Sequence, residues 1–199
     1  MTPDIIALLA LVLLWISSFT IFFTTQWRLS IIMLALQYLG VFMLIAMDWP
    51  LQMAVVKLVA GWMAGAVLAM AMLSSQDFRD ELAGVHLKGV SIPFYFFASI
   101  LVWVVVISLT TSATDWLQDI QPEQAFGGLL LIGMGLLKLG FTDHPLSATL
   151  GILTAFSGFE IIYALIETSA LLTGLLAGIT LGLSMIGSYL LLAPHLEKT

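Results

Sequence analysis

The long apolar runs decide what this chain can fold into. A helix rises about 1.5 Å per residue, so roughly 20 apolar residues cross the hydrocarbon layer of a bilayer. Seven segments have that length and character: 4–25, 29–47, 51–73, 92–111, 125–141, 146–166 and 169–192. The fifth is the shortest and is rich in glycine. The runs are continuous rather than alternating, which is a helical pattern and not the dyad pattern of a membrane barrel. Composition agrees. Of 199 residues, 61% are hydrophobic and 9% are charged, against about 25% charged in a typical soluble domain. Mean hydropathy is +1.11. An all-α, multi-pass integral membrane protein is expected, with 1–199 as a single membrane domain facing lipid.

The same inventory excludes several kinds of chemistry. There is no cysteine, hence no disulfide, thiolate metal site or thiol redox couple. The net charge is −6 and the basic residues form no patch, so nucleic acid is not an expected partner. His86, His144 and His195 fall in separate loops and are too scattered for a metal site. No HExxH, GxSxG or P-loop pattern occurs. "GMGLLKLG" (133–140) has the look of a phosphate loop, but it lies within a span. The first residues, "MTPDIIALLALVLLWISSFTIFF", lack the basic start and small-residue cleavage site of a signal peptide, and they read as a retained first span.

Charge between the spans sets an expected orientation. Arg28 lies between spans 1 and 2, Arg79 and Lys88 between 3 and 4, and Lys198 beyond span 7. With seven spans all four fall on one side. The other side carries Asp4, Asp48, Asp115, Asp119, Glu123 and Glu167 and no Lys or Arg. The positive-inside rule then places the N-terminus outside and the C-terminus in the cytoplasm. The stretch "SSQDFRDELAGVHLKGV" (74–90) reads either as a short amphipathic helix on the cytoplasmic surface or as a solvated loop.

Sliding the chain against itself by 117 residues aligns Thr25, Leu29 and Ser30 with Thr142, Leu146 and Ser147. Further on, "LVAGWMAG" meets "LLAGITLG". Chance matching of apolar letters competes with a true duplication. A duplication would make 4–73 one three-helix unit and 125–192 a second, joined by the helix 92–111. A shift of four spans keeps direction, so the units would be parallel and related by an axis along the membrane normal. Gly61 and Gly65 in span 3, and Gly174, Gly178 and Gly182 in span 7, lie four apart on one helix face. Such faces allow close helix packing in lipid, within the chain or against a partner. Ordinary glycine abundance in membrane helices is the competing explanation.

Three ionisable residues lie inside spans. Lys57 stands six positions into span 3, and Glu160 six positions before the outer end of span 6. Both then lie roughly 9 Å below the outer boundary, at a depth where they can pair or share a polar cavity. An isolated charge at mid-membrane costs about 2.5–3.5 kcal/mol on insertion scales. A carboxyl escapes that cost by taking up a proton, which is what a proton relay requires. Glu160 therefore reads as a proton-path or ion-path residue, or as one half of an ion pair that orders the bundle. Gln37, Thr154, Ser157 and Tyr163 are polar neighbours suited to line a hydrated route. Lys138, near the inner end of span 5, is placed to snorkel to the cytoplasmic surface.

"GFEIIYA" (158–164) resembles the second helix of the K subunit of respiratory complex I, called 4L in mitochondria, where a membrane glutamate stands in a Gly-x-Glu-Ile/Leu context. The longer pattern is similar to the E subunit of hydrogenase-4 type formate hydrogenlyase complexes. That family has about this length, seven spans and a K-like unit at its C-terminal end. Its first span likewise leads to an "RLS" tripeptide, its second carries a Gln and its third a Lys. Here these are Arg28, Leu29 and Ser30, then Gln37 and Lys57. The resemblance covers spans 1–3 and 5–7, and its motifs are short.

It implies a multi-pass subunit of the cytoplasmic (inner) membrane, in the membrane arm of a complex I-like or hydrogenase-4-like oxidoreductase. Antiporter-like subunits would be its partners. It would be a non-catalytic subunit with no cofactor, metal or redox centre of its own. Glu160 takes the place of the second-helix glutamate and Lys57 that of the third-span lysine. Complex I K subunits carry a further glutamate in their third helix, whereas span 7 here has no acid, so a complete relay within this chain is in doubt. The distance from the cytoplasmic loop to Glu160 is also about one turn longer than in the family, by the 3.6 residues of a helical turn. A free-standing secondary transporter and a purely structural membrane subunit are the rival expectations.

Overall fold

Proline marks where most of the helices begin. The computed structural model describes residues 3–74, 92–116, 121–166 and 169–196. Among these are seven helices and no strand: α1 (Pro3–Phe23), α2 (Trp27–Ile45), α3 (Leu51–Ser74), α4 (Ile92–Trp116), α5 (Pro122–Gly140), α6 (Pro145–Ile166) and α7 (Ala170–Leu196). Pro3, Pro122 and Pro145 are first residues, Pro93 is the second of α4, and Pro50 immediately precedes α3. A proline there loses no helical hydrogen bond, because the first N–H groups have no intrahelical partner, and its φ suits the helix. The possible surface helix over 74–90 falls, beyond Ser74, outside the described residues.

Six helices, all but α5, are long and apolar enough to cross a membrane, which marks the chain as a multi-pass helical membrane protein. The expected fifth span differs from the rest. Its helix starts at Pro122 rather than at 125, and so takes in Glu123 and Gln124. These residues, Lys138 and its glycines lower its apolarity. Around the outside of the bundle, large apolar side chains such as Leu8, Met70, Phe97 and Leu171 stand exposed, as a lipid-facing surface demands.

The helices pack as two rows. One is α1, α2, α3 and the other α5, α6, α7, with each helix of the first row against its counterpart in the second: α1 on α5, α2 on α6, α3 on α7. Paired counterparts run parallel. Leu14 faces Gly127 and Ile21 meets Lys138 as α1 and α5 advance together; Gln37 meets Thr154, and Trp49, just beyond α2, meets Ala164 at the end of α6. Helix α4 lies outside the rows against α5, antiparallel to it, since Phe94 meets Phe141 and Trp103 meets Phe126.

Two apolar clusters fill the space between the rows. At one end Ile21, Leu34, Leu68, Leu146 and Leu191 pack together; at the other Leu14, Val41, Trp49, Ala54 and Ile161 do. The tightest crossing is α5 on α6. A Cβ added at Gly135 would run into the backbone of Ala155 and Gly151, and one at Gly158 would run into the backbone of Gly128 and Ile132. Backbones this close gain dispersion and need no apolar driving force, which is how helices associate in lipid.

Candidate functional site

Between the two apolar clusters lies a patch of polar side chains from four helices. Glu160, on the inward face of α6, is 1% exposed, and Lys57 of α3 is also 1% exposed. The Lys57 ammonium donates to Glu160 Oε1 at 2.6 Å. The two residues expected at equal depth are thus in direct contact. The Thr180 hydroxyl of α7 donates to the same oxygen at 3.3 Å, and also to the Leu176 carbonyl of its own helix. Each charge is taken out of water, and among the described residues the direct contact and the supporting hydroxyl offset that cost.

One turn along α6 the chain of polar groups continues. Gln37 of α2, fully buried, donates through its amide nitrogen to Ser157 Oγ at 2.9 Å, while Ser157 donates to the Thr154 carbonyl at 2.8 Å. Thr154 Oγ1 in turn donates to Gln37 Oε1 at 3.4 Å. Residues 154, 157 and 160 recur every three positions, so they form one stripe along α6 that faces α2 and α3. Gln37 is thereby tied to α6 at both ends of its amide.

The other residues singled out from sequence lie elsewhere. Tyr163 does not join the patch: it shares the face of Phe159, one turn before it, and the two rings stand 5.8 Å apart beside Phe156. Lys138 is 7% exposed, and instead of snorkelling to water its ammonium donates to the Ile21 carbonyl at 2.6 Å. That carbonyl belongs to the last turn of α1, whose final carbonyls have no partner within the helix. Lys138 therefore caps α1 from α5, with the favourable sign of charge for a helix C-terminus. Among the glycines, Gly61 is pressed against the Tyr38 ring and Gly65 makes ordinary contact with Ile31. Gly174, Gly178 and Gly182 face outward, with open space where a Cβ would stand.

Several members of the site gave no strong signal in the sequence. Thr180 contacts Glu160 from the span that has no acid. Tyr38, 0% exposed, stands beside Gln37 and over Gly61. Near the outer end expected from sequence, the Trp49 indole donates to the Ala164 carbonyl at 2.7 Å. Gln124 there donates to the Leu44 carbonyl at 3.0 Å and to Asp48 Oδ2 at 2.5 Å. These bonds fasten α2, α5 and α6 at one end. Among the described residues no group of three His, Asp or Glu side chains converges as a metal site.

Chemically, the Lys57–Glu160 contact permits one event without any rearrangement. Transfer of one proton across it turns an ion pair into a neutral amine and a carboxylic acid, with no change in net charge. The apolar clusters on either side separate this event from both ends of the bundle. No family model, curated protein or solved structure matches this chain.

Proposed function

We propose that this chain is a subunit of the membrane arm of a complex I-like or hydrogenase-4-like oxidoreductase, where it contributes a proton-exchanging site and helps assemble the arm. The observation that carries this reading is the buried Lys57–Glu160 pair, in direct contact inside a bundle of membrane helices. Ionisable residues within membrane helices are expensive and commonly mark ion or proton routes. Glu160 is the protonatable group, Lys57 its counter-ion, and Gln37 with Ser157 and Thr154 the polar continuation. The apolar clusters above and below mean that a through-route needs groups from neighbouring subunits, so antiporter-like partners belong to the reading.

The same proposal includes seven crossings, the N-terminus outside and the C-terminus in the cytoplasm of the inner membrane. It also includes a duplicated three-helix unit. Two observations support the duplication. Helices one unit apart pack on each other in parallel, and two of the contacts between the rows, Gln37 with Thr154 and Ile21 with Lys138, join residues 117 positions apart, the offset of the sequence repeat.

Mass spectrometry of what co-purifies with the tagged chain in mild detergent tests the reading. Antiporter-like subunits together with iron–sulfur or hydrogenase-type proteins are the expected partners, and Glu160→Gln in that assembly should abolish or strongly reduce proton-coupled activity. A chain that purifies alone or only with copies of itself defeats it and points to a free-standing transporter. An assembled complex fully active with both Glu160→Gln and Lys57→Ala assigns the pair a purely structural role.

A further inference from the structure

Where α2, α3, α6 and α7 meet, the hydrogen-bond inventory does not close. Glu160 Oε2 and the Tyr38 hydroxyl are buried with no hydrogen-bond partner among the described residues. Lys57 has three N–H donors, and the one hydrogen bond it makes among the described residues is to Glu160 Oε1. These orphaned groups are neighbours. Gly61 stands one turn beyond Lys57 on α3, and the space over its Cα is filled by the Tyr38 ring, so that any Cβ there would collide with it. The ring thus lies one turn from Lys57, whose ammonium contacts Glu160, and Thr180 donates to the same carboxylate.

Buried polar groups in native proteins are almost always paired, and where no protein group serves, an ordered water commonly does, typically with about three hydrogen bonds. A metal cation is a poorer occupant. The ammonium of Lys57 already neutralises the carboxylate, and a second cation beside it would be repelled at close range. The free groups here are an acceptor, a hydroxyl that both donates and accepts, and spare ammonium protons, which is the complement of a water molecule.

We propose that this junction binds an internal water that donates to Glu160 Oε2 and accepts from the Tyr38 hydroxyl, making Tyr38 a member of the site with Lys57, Glu160 and Thr180. The glycine at position 61 is what admits the Tyr38 ring, so Gly61 and Tyr38 form one device for placing a hydroxyl beside the ion pair. The inference rests on packing and hydrogen bonding and stands whether or not the protein moves protons.

X-ray hydroxyl-radical footprinting of the full chain, alone or in whatever complex it purifies with, tests it, because radiolysis of a bound water labels a side chain that bulk water cannot reach. Phe22, 7% exposed in an apolar cluster, is the dry control, and Tyr38 is more deeply buried than Phe22. After correction for the intrinsic reactivity of the two rings, Tyr38 should be labelled several-fold faster than Phe22, and Glu160→Leu should remove that excess. Tyr38 labelled no faster than Phe22 overturns the proposal, as does an excess that survives in Glu160→Leu. Should Glu160→Leu fail to fold, the double variant Lys57→Met with Glu160→Leu, which removes both charges, supplies the same comparison.

Discussion

At the scale of single residues, the chief lesson is that a buried pair is fragile when halved. Among the described residues, Lys57→Ala leaves the buried Glu160 carboxylate with the Thr180 hydroxyl as its one remaining protein partner. Breaking a buried pair from one side costs about 3–5 kcal/mol, whereas replacing both partners with apolar groups of similar volume is often neutral. Lys57→Ala should therefore destabilise the bundle by about that amount, and Lys57→Met combined with Glu160→Leu by much less, in an SDS-unfolding titration of the purified chain. Equal losses in the two variants would mean that the pair contributes through packing rather than charge. Counting along the spans put the two charges at one depth, where they could pair or share a polar cavity; their direct contact is a finding of the structure. Tyr38 and Thr180 were not legible, because a tyrosine or threonine in a membrane helix costs little wherever it points. Only the packing of α3 over the Tyr38 ring and of α7 beside Glu160 assigns them.

Among the elements, α5 is the one whose character is set by its neighbours. Its residues are less apolar than those of the other helices because it faces protein on several sides: α6 across glycine, α1 through Lys138, and α4 through Val102 and Val106. A helix enclosed by helices needs small residues for approach more than it needs long apolar ones for lipid. Gly135→Val would drive a branched side chain into the backbone of α6, where nothing flexible can yield. That variant should separate α5 from α6, measured as strongly reduced yield of folded protein or as loss of a disulfide engineered across that crossing. Gly178→Val, with open space around it, should fold normally unless a partner covers that face. Sequence spacing singled out Gly61, Gly65, Gly174, Gly178 and Gly182, yet Gly135 and Gly158 make the closest crossing. Four-residue spacing finds one helix face, but which face meets another helix depends on the row arrangement, and spacing within one helix carries no information about that. Lys138 offers a second element-scale test. Lys138→Met would orphan the Ile21 carbonyl and cost about 1–3 kcal/mol, the penalty for a buried polar group left without its partner, in the same SDS titration.

For the whole molecule, the row packing bears on the proposed topology in a way that hydropathy does not. By apolarity α5 falls outside the helices suited to cross a membrane. Yet α5 runs parallel to α1 along much of its length, from the contact of Leu14 with Gly127 to that of Ile21 with Lys138. Its 19 residues span about 28 Å, close to the thickness of the hydrocarbon layer. If α1 crosses the membrane, α5 lies beside it at the same depth and crosses too, its polar ends emerging where Glu123 and Asp143 stand. The absence of cysteine makes this directly measurable, because any single cysteine introduced is the only thiol. In sealed membrane vesicles or intact cells, the proposed orientation requires that a membrane-impermeant maleimide label Gln26→Cys and Asp143→Cys from the cytoplasmic face. Asp48→Cys and Gln121→Cys should react only from the opposite face. Asp143→Cys and Gln121→Cys reacting from one and the same face would show that α5 does not cross, and would remove both the seven-span count and the parallel repeat. Labelling that follows the expected sides but with all four reversed would keep the fold and overturn the orientation alone. The charge asymmetry of the connections argues against that reversal, since Arg28 falls on the Gln26 side and no basic residue falls on the Asp48 side.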